Sequence, residues 1–201
     1  MDSLMGRIII EGKRGRLVFT AGFFLMMAWL TLTGGAVGMW AALYVPVHEM
    51  GHLLCLWRMG MPVREIHVSA AGVVIHRGRE FSSLSQQALC ALSGPLLPLP
   101  LAGVLWGAGA AAMVGAQAFF LLSLFHLLPI WPLDGGQALF CLLLSFLSPV
   151  RAARFVRVFS FLLLFCLSVP VFFLLLRQRG NLSLLIVWSY LLFCLLCQPV
   201  L

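Results

Sequence analysis

The run Val37–Trp57 is long and apolar enough to cross a bilayer, yet it carries the string His48-Glu49-Met50-Gly51-His52. In hydrocarbon every backbone polar group needs a partner within the protein, so a run of this length folds as a helix. Each ionisable side chain there costs on the order of 3 kcal/mol unless something compensates it. On a helix His48 and His52 are four apart and share a face, so both imidazoles can reach one metal ion. Glu49 falls about 100° round the axis. That is a position beside a metal-bound water, where a carboxylate serves as general base.

The rest of the chain is as apolar as this run. Of 201 residues, 62% are hydrophobic and 9% charged, and the mean hydropathy is +1.06. A soluble domain has no use for so much apolar surface, so the sequence predicts a polytopic membrane protein. No polar stretch is long enough to build a separate soluble domain, and residues 1–201 read as a single membrane-embedded domain. The fold class expected is all-α, with about six transmembrane helices. These run approximately over 17–32, 37–57, 84–106, 113–147, 155–176 and 182–198, with Thr33-Gly34-Gly35 as the first turn.

The net charge of +7 comes from basic residues scattered between the apolar runs, which argues against a nucleic-acid surface and for topology signals. With the N-terminus inside, the groups Arg7, Lys13, Arg14, Arg16; Arg58, Arg64, Arg77, Arg79; and Arg151, Arg154, Arg157 are cytoplasmic. They hold eleven of the thirteen basic residues, leaving Arg177 and Arg179 outside. The bias predicts a multi-pass protein with both termini in the cytoplasm. No small-residue cleavage site follows the first basic group, so no signal peptide is read. The six cysteines lie mostly in apolar runs and read as small buried hydrophobes. Cys194 and Cys197 form a lone C-x-x-C pair with no second pair to complete a metal site.

The one sizeable polar connection, Met59 to Ser82, contains Glu65–Ser69 and Val73–Arg77 around Ala70-Ala71-Gly72. Their alternation and β-branched content predict a hairpin over about 62–80 at the membrane surface, with His67 and His76 as solvated strand residues. The third span holds Ser93-Gly94-Pro95, Pro98 and Pro100, which kink a helix and free carbonyls. The fourth is interrupted at His126–Gly136, where two prolines and two glycines break the helix. Irregular backbone at that depth is tolerated where it frames a site.

Of the six acidic residues only Glu49 and Asp134 fall inside apolar segments, together with His48, His52 and His126. One shared cation would compensate carboxylate and imidazoles together. Zinc suits them, one per chain: His48, His52 and Asp134 supply three ligands, and a fourth position stays for water. Asp134 also suits an N-cap on a helix beginning at Gly135.

The two strings, His48-Glu49-Met50-Gly51-His52 and Leu133-Asp134-Gly135, together resemble the site-2 protease family of intramembrane zinc metalloproteases. Ser93-Gly94-Pro95 is similar to that family's Gly-Pro element, and Leu127-Leu128-Pro129 to the run before its Leu-Asp-Gly. The likeness covers about Gly34 to Phe146. It implies an endopeptidase that cuts in or near the transmembrane segment of a membrane-anchored substrate, with Glu49 catalytic. Six spans without an inserted PDZ-like domain resemble the sporulation-type members, which cleave a membrane-tethered transcription factor precursor. Those members often carry a C-terminal CBS domain, which this sequence lacks. The resemblance also implies that the substrate is held as an added β-strand, along Ile66, His67 and Val68 or along Val73, Val74 and Ile75.

Two residues depart from the family pattern. His126 stands where Asn is usual, and can donate a hydrogen bond to an oxyanion or act as a fourth ligand. Pro98 stands where another Asn is usual and offers no donor. An inhibitory membrane partner and a homo-oligomer are both compatible with the sequence. Two other classes use the same residues. A metal transporter or sensor needs a polar path across the membrane, for which only Gln117 and Thr31 offer themselves. An inactive adaptor that binds membrane helices has no need of Glu49.

Overall fold

The computed structural model describes residues 7–12, 15–69, 72–176 and 182–197. In chain order the elements are β1 (Arg7–Gly12), β2 (Gly15–Thr20), α1 (Ala21–Arg58), β3 (Val63–Ser69), β4 (Gly72–Arg77), α2 (Leu84–Leu96) and α3 (Pro98–Gly107). A short 3-10 turn, Ala110–Ala112, then leads into α4 (Met113–His126), α5 (Asp134–Leu144), α6 (Pro149–Leu176) and α7 (Leu182–Cys197). The molecule is mostly helical, but it is not all-α: the hairpin expected from the sequence is half of a four-stranded sheet.

Three helical stretches are long and apolar enough to cross a membrane: Ala21–Arg58, Leu84–Gly107 and Pro149–Pro170. Shorter apolar helices are Met113–His126, Asp134–Leu144 and Leu185–Cys197. The outward side chains include Leu25, Leu32, Phe120, Leu121, Phe146, Phe165 and Phe193, all exposed. Apolar exposure on this scale would aggregate in water and is at home in lipid. Arg177 and Arg179, Lys13 and Arg14, Ala70 and Ala71, and both chain termini lie outside the described residues.

The chain divides into two compact units, residues 1–82 with 93–123, and residues 83–92 with 124–201. In the first, β1 and β2 pair antiparallel from Arg7↔Thr20 to Gly12↔Gly15. β2 lies parallel to β3, from Arg16↔Glu65 to Phe19↔Val68, and β3 is antiparallel to β4. Leu17–Thr20, expected to open the first membrane helix, are therefore strand. Their backbone groups pair with Ile66–Val68 on one side and Ile8–Ile10 on the other, and such pairing outweighs the local preference of an apolar run.

α1 holds a chain reversal. A straight helix of 38 residues would span about 57 Å. Yet Thr20, just before α1, donates its Oγ1–H to Val68 O at 3.3 Å, and the ten residues from Met59 to Val68 reach at most about 35 Å. Gly35, at φ 55° and ψ −139°, supplies the turn, a conformation that only glycine adopts without strain. A Cβ on Gly38 would strike Leu30 O at 2.0 Å, so the two limbs pack backbone to backbone. The expected break at Thr33-Gly34-Gly35 is therefore present. The second limb is held in the first unit by Tyr44, Ala102 and Phe119, with Trp40, Val47, Leu105 and Leu122 around them.

In the second unit Ile130, Leu164, Leu191 and Leu195 form the core, with Phe125, Leu128, Trp131, Leu133 and Trp188 packed on it. Trp188 Nε1–H donates to Leu164 O at 3.1 Å and joins α7 to α6. The long fourth span expected from the sequence is two helices, α4 and α5, separated by the loop 127–133.

Candidate metal centre

The second limb of α1 presents the first group of candidate ligands. His48 is buried and His52 half-buried one turn later. Their Nε2 atoms lie 3.3 Å apart, with the rings edge to face at 83°. Two zinc–nitrogen bonds of about 2.05 Å at a tetrahedral angle put the nitrogens about 3.3 Å apart. The pair therefore has the spacing of two ligands on one ion. Glu49 sits half-buried on the same turn.

Neighbouring residues hold these rings. Tyr44 Oη lies 3.2 Å from His48 Nδ1. With His48 Nε2 turned to a metal, Nδ1–H donates to that oxygen and fixes the ring, as metal-bound histidines require. Tyr44 itself is buried edge-on against Phe119. The sequence reading missed Tyr44, although its spacing of four from His48 on an established helix was a signal for it. On the other side Ser93-Gly94-Pro95 packs against α1. A Cβ on Gly51 would meet Ser93 O at 2.2 Å, and one on Gly94 would meet His52 Nε2 at 2.2 Å. Both glycines are thus required by close approach, one between backbones and one against the His52 ring. Pro98 is buried in the first turn of α3, where a missing N–H is tolerated.

In the second unit the loop between α4 and α5 sets Asp134. Gly135 and Gly136 let the loop fold back on the start of α5: added Cβ atoms would strike Leu127 O at 2.1 Å and Ile130 O at 2.5 Å. Several of the loop's backbone groups are paired inside the second unit. Trp131 N–H donates to Ser160 Oγ at 2.9 Å, Gln137 Nε2–H to Pro132 O at 3.1 Å, and Ile130 N–H to Leu128 O at 2.8 Å. Such pairing is what permits irregular backbone inside an apolar protein. The helix begins at Asp134 itself, not at Gly135. Leu133 is the N-cap residue, and Asp134 opens the first turn. The Asp134 carboxylate is buried there. His126, the last residue of α4, places Nδ1 at 3.2 Å from Asp134 Oδ2.

His48 and His52 in the first unit and Asp134 in the second are the candidate metal ligands among the described residues, and the imidazole pair has the spacing of two ligands on one ion. Two imidazoles and a carboxylate are a zinc donor set that keeps a position open. His67 and His76, half-buried and exposed on the sheet, do not belong to it. Cys194 is buried, Cys197 exposed, and neither is in a disulfide.

The candidate substrate strands differ in their surroundings. β3 is flanked by β2 and β4, so Ile66, His67 and Val68 have both sides occupied and cannot accept a further strand. That expectation is corrected by the presence of β2. Val73, Val74 and Ile75 lie on β4, an edge of the described sheet.

No family profile matches the chain. Curated relatives are the "Putative zinc metalloprotease Rip3" of Mycobacterium tuberculosis in two strains, each 32% identical over 130 residues. The match takes in 58% of this chain and 32% of the relative, so the chain spans about a third of the length of the curated relatives it matches. Among solved structures, the site-2 protease from Methanocaldococcus jannaschii superposes with a TM-score of 0.67 at 18% identity, covering 97% of this chain and 96% of the other. The fold is therefore that of the site-2 protease, the family whose motifs the sequence resembles.

Proposed function

We propose that this chain is an intramembrane zinc endopeptidase that hydrolyses a peptide bond in or near the transmembrane segment of a membrane-anchored protein. The observation that carries the reading is the imidazole pair on α1, with its Nε2 atoms 3.3 Å apart and a carboxylate, Glu49, on the same turn. In this reading His48, His52 and Asp134 are the ligands of one ion, and the whole chain works as one membrane-embedded domain. Zinc held there would lower the pKa of a coordinated water toward about 7 and polarise the scissile carbonyl.

The remaining chemistry belongs to the chain's own residues. Glu49 takes a proton from the attacking water and delivers it to the leaving amine nitrogen, a general base that becomes a general acid. The C–O bond forms first, the C–N bond breaks once the nitrogen has taken that proton, and the products are a carboxylate and an amine. A substrate helix hides its carbonyls in its own hydrogen bonds, so it must be extended before attack. The edge of the described sheet, at Val73–Ile75 of β4, would hold it as an added strand. The chain crosses the membrane six times, with both termini cytoplasmic and water reaching the site from that side. The basic groups between the apolar runs support this orientation.

The test is co-expression with single-span candidate substrates, comparing the natural chain with Glu49→Gln. A shortened product only with Glu49, and zinc bound by both proteins, is the expected result. Zinc flux into vesicles that survives Glu49→Gln would point to transport, and the reading would fail.

A further inference from the structure

His126 ends α4, one loop before Asp134 opens α5. Its Nδ1 lies 3.2 Å from Asp134 Oδ2, across a loop whose length and stiffness bring the two residues together. Seven residues, 127–133, separate the end of α4 from the start of α5. Ile130 in their middle is fully buried, and Trp131 N–H is tied to Ser160 on α6. Gly135 and Gly136 admit the loop at backbone contact. The ends of the two helices are thus held in a fixed relation, and the imidazole and the carboxylate meet by construction. An ionised carboxylate only accepts hydrogen bonds, so the ring nitrogen donates, and this fixes the tautomer of His126.

We infer that His126 is a positioning residue: its Nδ1–H holds Oδ2 of Asp134 and thereby aims the carboxylate at the metal. The inference rests on the reading of His48, His52 and Asp134 as zinc ligands. A carboxylate can turn about its terminal torsion, which is broad and has no deep rotamer well. Holding one oxygen leaves the other in a defined direction. Outer hydrogen bonds of this kind are worth about 10–100-fold in metal affinity. An asparagine amide places an N–H at about the position of a histidine Nδ1–H, so it could donate to the same oxygen.

The experiment uses the full-length protein in detergent and measures zinc affinity by chelator competition. It compares the natural chain with His126→Ala, His126→Asn and Asp134→Ala. X-ray absorption of the zinc-loaded natural protein counts imidazole ligands. The inference expects two imidazoles in the natural protein and about 10–100-fold weaker zinc binding in His126→Ala. It also expects substantial recovery in His126→Asn, and near-complete loss in Asp134→Ala. A purely structural role would leave His126→Asn as weak as His126→Ala, which overturns the inference. Unchanged affinity in His126→Ala overturns it too. Three imidazoles in the natural protein, falling to two in His126→Ala, make the residue a ligand instead. A natural protein that binds no zinc removes the metal reading itself, and the inference with it; the other outcomes leave that reading standing.

Discussion

Replacing Gly94 by alanine should damage the metal site while sparing the fold, and the size of the effect follows from the contacts. An alanine Cβ there would lie 2.2 Å from His52 Nε2, 2.4 Å from Cε1 and 2.9 Å from Cδ2. Ordinary contact begins near 3.4 Å, so the ring must withdraw by about 1.2 Å. The ring ends a flexible side chain, and a χ rotation of about 30° costs only about 0.5–1.5 kcal/mol. The backbone therefore need not move. Zinc–ligand distances, however, hold to about ±0.2 Å, so a displacement of this size removes His52 from coordination. The loss in zinc affinity should be at least the about 10–100-fold that follows from disturbing a ligand's support. The assay is chelator competition on purified protein, with melting temperature followed in parallel. Gly103→Ala is the control: nothing lies within 4 Å of a Cβ there, and a helical alanine should stabilise by about 0.5–1 kcal/mol. Normal zinc affinity in Gly94→Ala, with the melting temperature of the natural protein, would refute the close packing of Gly94 on His52.

The other predictions separate fold from chemistry. Gly51→Ala meets Ser93 O, which is backbone, so overpacking should cost about 1–3 kcal/mol and lower the melting temperature. Glu49→Gln should keep zinc and lose about 10²–10⁴-fold in cleavage rate, measured on a reconstituted single-span substrate. Tyr44→Phe removes the oxygen facing His48 Nδ1 and should weaken zinc binding by about 10–100-fold with little change in melting temperature. Proline scanning along Gly72–Arg77 should show period two: positions whose N–H faces β3 destabilise the sheet, and alternate positions lower cleavage alone. Cleavage that falls without that period would argue against strand addition at β4.

Several features were legible because they are local. Val37–Trp57 had to be helical in hydrocarbon, and on a helix the four-residue spacing of His48 and His52 makes their imidazoles neighbours. The broken fourth span was visible as two prolines and two glycines within His126–Gly136. The N-terminal half of the sheet was not. Ile8–Ile10 and Leu17–Thr20 are short apolar runs beside basic residues, and they read equally well as the approach to a membrane helix. β1 and β2 pair with each other across a short gap, but β2's other partner, β3, lies more than forty residues later in the chain, and no short window of sequence contains it. The same is true of His126. Its chemistry suggested an oxyanion or a metal, and only the loop geometry turns it toward Asp134.

The sequence by itself determined the apolar helical character, the identity of the candidate ligands and the points where helices must break. Each follows from short-range rules: helical period, the cost of charge in lipid, and the backbone freedom of glycine and proline. Tertiary structure alone decided which strand lies at the edge of the described sheet, which glycine packs against the His52 ring, and which imidazole faces the Asp134 carboxylate. Those outcomes depend on which distant segments come to share a few ångströms of space. Pairing and packing energies between such segments are summed over the whole fold, and no residue's own preference carries them.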